Sequence, residues 1–157
     1  MLDETATALG IDGHHRAHVV MPPEPFQAGS FKVIPFYVPH DVPCMNFFVQ
    51  SDSGERMVYL TDCAYVPATF PALDIVALEI NHDKETLYDS EANFSRKKRT
   101  RLNHMGLTEA LRFLRTQSTP RLREVYVLHL SNETANERRI LSAVQGTVGV
   151  PVRICEE

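Results

Sequence analysis

The stretch DIVALEINHD, residues 74–83, decides how this chain folds. It opens as a continuous apolar run, the pattern of a strand buried on both faces, and passes directly into Glu79, His82 and Asp83. Three other β-rich runs end the same way. FKVIPFYVPHD (31–41) leads to His40 and Asp41, RMVYLTD (56–62) to Asp62, and REVYVLHLS (123–131) to His129. The carboxyl ends of strands in layered α/β proteins are where sites are usually built. Any one of these residues alone reads as a satisfied histidine or a capping aspartate. Four strand ends that each carry an acid/base or metal-compatible residue point to chemistry there.

Working outward, the opening through HHRAHVVMPPEPF (14–26) reads as a connector: Asp3 caps a short helix that Gly10 or Gly13 stops, a strand-like HVV follows, then a Pro-rich turn. FKVIPFYV reads as a strand, and MNFFVQ and RMVYLT as a hairpin joined by SDSGE. Beyond Asp83 the period changes. KETLYDSEANF and SRKKRTRL are polar and helix-compatible, and LTEALRFLRTQ sets Leu107, Ala110, Leu111 and Leu114 on one face, with Thr108 or Asn103 as candidate caps. After the strand REVYVLHL, a second amphipathic helix carries Ala135, Ile140, Leu141 and Val144, and PVRIC closes as a short strand. Alternating strands and helices predict an α/β fold, with helices on one face of the sheet.

The 157 residues, 43% of them hydrophobic, suffice for one compact domain with a core. The net charge of −4 argues against a generally basic nucleic-acid coat while leaving room for a local basic patch. Cys44, Cys63 and Cys155 are odd in number and contain no CxxC pair, which supports neither a disulfide framework nor a four-cysteine zinc site and fits reduced thiols in the cytoplasm. The acidic N-terminus lacks the basic character of a signal peptide, and no apolar run approaches membrane-spanning length, so a soluble, cytoplasmic, membrane-free protein is expected. Glycine-rich phosphate loops, the G-x-S-x-G elbow and nicotinamide fingerprints are absent, which removes kinases, serine hydrolases and common dehydrogenases from consideration.

Taken in order, VPHD, LTDCAY, ALEINHD, NHMGLTEAL and LHLS resemble the C-terminal portion of the metallo-β-lactamase fold, within its phosphodiesterase and nuclease branch that includes ribonuclease Z. The resemblance covers nearly the whole chain and implies the C-terminal half of an αββα sandwich, a mixed sheet covered by helices, as one partial domain over 1–157. It implies His40, Asp62 and His129 as ligands of a two-metal site, zinc first and manganese second. It further implies that Glu79 and His104 form a pair that protonates the leaving group. The reaction implied is metal-assisted hydrolysis of a phosphodiester, either a nucleic acid end or a cyclic nucleotide.

The family's first metal motif, His-x-His-x-Asp-His, is not in this sequence; GHHRAH has His14, His15 and His18 at another spacing and reads as loop. Three ligands fill one site only with water or a partner's side chains, so a second chain supplying the other half, or self-association, is expected. A non-catalytic binding or assembly subunit of the same fold is the alternative. Three further features stay open on sequence alone. The run SRKKRTR, with Arg99 and Arg101 as substrate-binding candidates, is either a phosphate-docking surface or a solvated helix face. His82 either touches a phosphate or caps a turn. Cys44 and Cys63 either approach a metal or fill the core.

Overall fold

A computed structural model describes residues 1–155. Seven strands form one sheet in the order of the sequence: β1 (Phe26–Ala28), β2 (Phe31–Val38), β3 (Cys44–Ser51), β4 (Arg56–Leu60), β5 (Ile75–Glu79), β6 (Glu124–Leu128) and β7 (Val152–Ile154). Strands β1 to β4 make an antiparallel meander, and β4 to β7 pair in parallel. The directions place the site. Because β2 and β4 both oppose β3, they run the same way, and β5 and β6 run with β4. The carboxyl ends of β2, β4, β5 and β6 therefore lie along one edge of the sheet, the four ends that carry His40, Asp62, Glu79 and His129.

Among the described residues there are five helices: α1 (Asp3–Leu9), which precedes the sheet, and α2 (Lys84–Asp89), α3 (Phe94–Asn103), α4 (Leu107–Gln117) and α5 (Glu137–Val148), which connect its strands. Register puts Val58, Val76 and Val125 in one row and Leu60, Leu78 and Val127 in the next, all on the same face. These six residues are fully buried together with Ala110 and Leu114 of α4 and Ile140 and Val144 of α5. Each fully buried Leu, Ile or Val in this layer contributes about 1.5–3 kcal/mol by removing apolar surface from water.

The opposite face is built differently. Pro35, Phe47, Tyr59, Ala77 and Tyr126 form a row across β2 to β6, flanked by Tyr37 and Met45. Tyr37 is 54% exposed and Tyr59 38%, so aromatic side chains of this sheet meet solvent where those of the helix-covered face do not. One layer of helices covers one face of the sheet, as half of a sandwich requires.

Local boundaries depart from expectation in four places. Leu2, not Asp3, occupies the N-cap of α1 and makes no side-chain cap bond; Asp3 sits in the first turn, where its charge favours the helix dipole. His18–Val20 form no strand, while Phe26–Ala28, past the Pro-rich turn, pair with β2. Helix α4 is capped by Gly106 rather than Thr108 or Asn103. Leu141 is only half-buried, and Ala135 precedes α5. Asp83 caps α2 through Thr86 N–H and also accepts from Asn136 N–H and Arg139, tying the turn after β5 to the start of α5.

Candidate metal centre

Each donor is placed by the strand that precedes it. Asp62 follows β4 by two residues and His129 follows β6 directly, and both adopt left-handed backbone, φ +48° and +49°. For non-glycine residues this conformation costs on the order of 1–2 kcal/mol and persists only where the surroundings enforce it. Asn46 enforces it at Asp62. Fully buried in β3, its amide accepts from Thr61 N–H and donates to Thr61 C=O, both at 3.0 Å, and so anchors the backbone one residue before the turn. At the other turn, Asn81 donates to the carbonyl of His129 at 3.3 Å.

Two groups of donors result, and they share one residue. Donor atoms of His40, Asp62 and His104 all lie within 4.8 Å of one another, and so do those of Asp62, Glu79 and His129. Ligands on a single zinc ion stand about 4 Å or less apart, so both groups are close to the spacing an ion requires. Nitrogen and carboxylate oxygen are also the donor types that zinc, manganese and iron accept. His129 Nδ1 is 3.6 Å from Asp62 Oδ1, and His104 Nδ1 is 3.7 Å from the same oxygen.

His40 and His104 are oriented by neighbours. The carbonyl of Asn103 only accepts, so His40 Nδ1, 3.0 Å away, carries the proton and donates. That leaves His40 Nε2 as the atom facing Asp41 Oδ1 at 3.2 Å and available to an ion. Asp41 is in turn held by Arg99 Nε at 2.8 Å; this hydrogen bond outweighs a smaller opposing effect of burial and keeps the carboxyl below its usual range. His104 Nδ1 bonds Glu79 Oε1 at 2.6 Å, and Glu79 Oε2 accepts from Cys63 N–H at 3.2 Å. Glu79 is fully buried. Its hydrogen bond to His104, reinforced by its charge, raises the imidazole pKa above the ordinary value against the opposing effect of burial. The pair therefore favours the protonated ring, with Nε2 turned away from the carboxylate.

The remaining candidates are set apart from this cluster. Arg101 lines a separate hollow between α2 and α4, with Tyr88, Leu87 and Thr108. His82 is 6% exposed, and its ring packs against Gly106, where a Cβ would come within 2.7 Å of Nε2. Its buried Nδ1 has no partner among the described residues. Burial, with a smaller push from His104 and opposed by Asp83, takes its pKa down to about 4, which keeps the ring neutral near pH 7 where it borders the same hollow as Arg101. Cys63 is fully buried, and burial first, then Glu79, pushes its thiol up to about 12, so it serves as core rather than thiolate. The His14 and His15 rings lie 4.6 Å apart, tilted by 31°, in the N-terminal segment.

Two outcomes follow for the His82–Gly106 contact. Gly106→Ala is expected to lower stability by about 1–3 kcal/mol through overpacking, and His82→Ala in the same chain should recover part of it, as a double-mutant cycle by urea denaturation would read. The folded pKa of about 4 lies below the unfolded value of 6.5, so His82 stabilises fully above about pH 6.5 and loses that contribution as pH falls toward 4. The stability of His82→Gln should fall less steeply than wild type between pH 7 and 4.

Searches against protein-family models and curated proteins give no match. Solved structures do. The chain superposes on a metallo-β-lactamase fold protein, YhfI from Bacillus subtilis, with a TM-score of 0.72 and 19% identity, over 98% of this chain and 58% of that one. The fold is that of the metallo-β-lactamases. A diphosphatase of the PhnP family matches at a TM-score of 0.61 and 15% identity, over 97% of this chain and 50% of that one. CmlA, a diiron β-hydroxylase from Streptomyces venezuelae, matches at 0.59 and 15%, over 94% of this chain and 35% of that one. This chain thus spans about half the length of the first two. Because a diphosphatase and a hydroxylase both superpose on this chain, the reaction has to be argued from the site. Among the described residues no helix is long and apolar enough to cross a membrane.

Proposed function

We propose that this metallo-β-lactamase-fold chain carries the C-terminal half of a metal-dependent phosphodiester hydrolase acting on a nucleic acid or cyclic nucleotide in the cytoplasm. The observation that carries the reading is Asp62, a carboxylate on left-handed backbone shared by two donor groups, beside the pair of His104 and the buried Glu79. A divalent ion held here, zinc or manganese, supplies a nucleophile at neutral pH and takes up charge on the phosphoryl oxygens. Asp62 holds the centre between His40 and His129. Glu79 fixes His104 through Nδ1, so that Nε2 presents a proton to the leaving oxygen, a step for which a raised pKa is the suitable tuning.

On the sheet face away from the helices Tyr37 and Tyr59 are exposed and Phe47 and Tyr126 half-buried, which supports completion by further sheet, from a longer chain, a partner or a second copy, which would bring the missing donors. The same face favours the second reading, an assembly subunit without activity. Hydrolysis of a chromogenic phosphodiester by the assembly as isolated, removed by EDTA and restored by zinc or manganese, supports the enzyme. A stable assembly that takes up metal and leaves every phosphodiester intact supports the subunit.

A further inference from the structure

We propose that the cavity between α3 and the turn after β6 is a subsite for a second, non-reacting phosphate of the substrate. The inference rests on the phosphodiesterase reading and narrows it to substrates with two phosphate groups, such as an oligonucleotide end, over a mononucleotide with one.

The basic run looks uniform in sequence, but helical geometry divides it. At 100° per residue, Arg96, Arg99, Thr100 and Asn103 share one face of α3, while Lys97, Lys98 and Arg101 point the other way. The first face abuts the metal centre, since Arg99 donates to Asp41 and the helix ends at the Asn103 carbonyl that accepts from His40. A cavity of about 260 Å³ lies beside it, lined by Arg96, Arg99, Asn81, Ser131 and Thr134 together with His104. The imidazole is thus shared between cavity and centre, and a ligand filling the cavity touches the group assigned to the leaving oxygen.

The two compartments have opposite polarity. The centre is built on the carboxylates of Asp62 and Glu79 and calls for a cation, whereas the cavity presents two guanidinium groups among hydroxyls and an amide and calls for an anion. Arg99 is held through Nε by Asp41 at 2.8 Å, and Arg96 through Nη2 by Glu133 at 2.9 Å. Each pair uses a fraction of a five-donor fork, and with the arginine side chains 64% and 70% exposed such pairs exchange readily for a dianion. Ser131 Oγ already accepts from Glu133 N–H and Thr134 N–H, which leaves its own proton to donate.

The test is binding of a nucleoside 3′,5′-bisphosphate and of the 5′-monophosphate to the zinc-loaded chain, in wild type, Arg96→Gln/Arg99→Gln and Lys98→Gln. The double variant should weaken bisphosphate binding about 10–100-fold, as expected for lost hydrogen bonds to charged groups, and monophosphate binding less than about 2-fold. Lys98→Gln should change neither. Equal losses for both ligands, or the same loss in Lys98→Gln, would reduce the cavity to a general positive field and overturn the subsite. Should the assembly as isolated take up no zinc, the hydrolase reading fails on its own, and inorganic phosphate binding in EDTA decides the subsite. Phosphate lost in the double variant upholds it, and phosphate indifferent to the change overturns it.

Discussion

Asp62→Asn is expected to weaken metal binding at the centre by at least about 100-fold, the upper end of what removing a mere supporting residue costs. Asp62 is the residue common to both donor groups, so its change disturbs either ion, whereas loss of His40 or His129 disturbs one group. The fold should tolerate it. Asparagine, like aspartate, is among the residues that adopt left-handed backbone most readily, so the turn at φ +48° keeps a suitable occupant. Asn46 still clamps Thr61, and no buried apolar contact is removed. Competition with a chromophoric chelator, alongside thermal melting, separates the two effects. A variant that melts like wild type and has lost zinc is the expected result, and one with unchanged zinc affinity would take Asp62 out of the centre.

His104→Ala is expected to slow hydrolysis by about 10²–10⁴-fold with bound metal retained, the range for losing a positioned proton donor. Glu79→Gln tests the pairing itself. Glutamine keeps an acceptor near Nδ1 but removes the charge, and the raised pKa of His104 should fall toward its ordinary value. An acid is effective below its own pKa, so the alkaline limb of the pH–rate profile should move to lower pH in this variant. A ligand role for His104, which its membership of the first donor group makes specific, would show instead as metal lost together with rate.

How much of this was legible in the chain follows from the distance over which each signal acts. Strands β2, β4, β5 and β6 announce themselves because their apolar runs are local, and their ends share one edge because β2 and β4 both oppose β3 while β5 and β6 pair in parallel with β4. The Glu79–His104 contact joins residues 25 apart and came from the resemblance to complete relatives, not from spacing. Asn46 was invisible: nothing in MNFFVQ says that a buried amide will bind Thr61, 15 residues on. Arg96 and Arg101 look equivalent in SRKKRTR, and only the helical phase sends one to the site and the other to a separate hollow. His82, grouped with Glu79 by sequence, sits under Gly106 instead, because the turn after β5 pairs His82 with Gly106 and leaves no room for a side chain there.

The central claim is that the strand-end residues hold a metal. Anomalous diffraction from a crystal of the chain equilibrated with zinc tests it most directly: the account predicts a peak within bonding distance, about 2.0–2.2 Å, of an Asp62 oxygen, with His40 or His129 completing the coordination. A fully soaked crystal with no peak at Asp62, or with zinc bound only elsewhere on the surface, would contradict it.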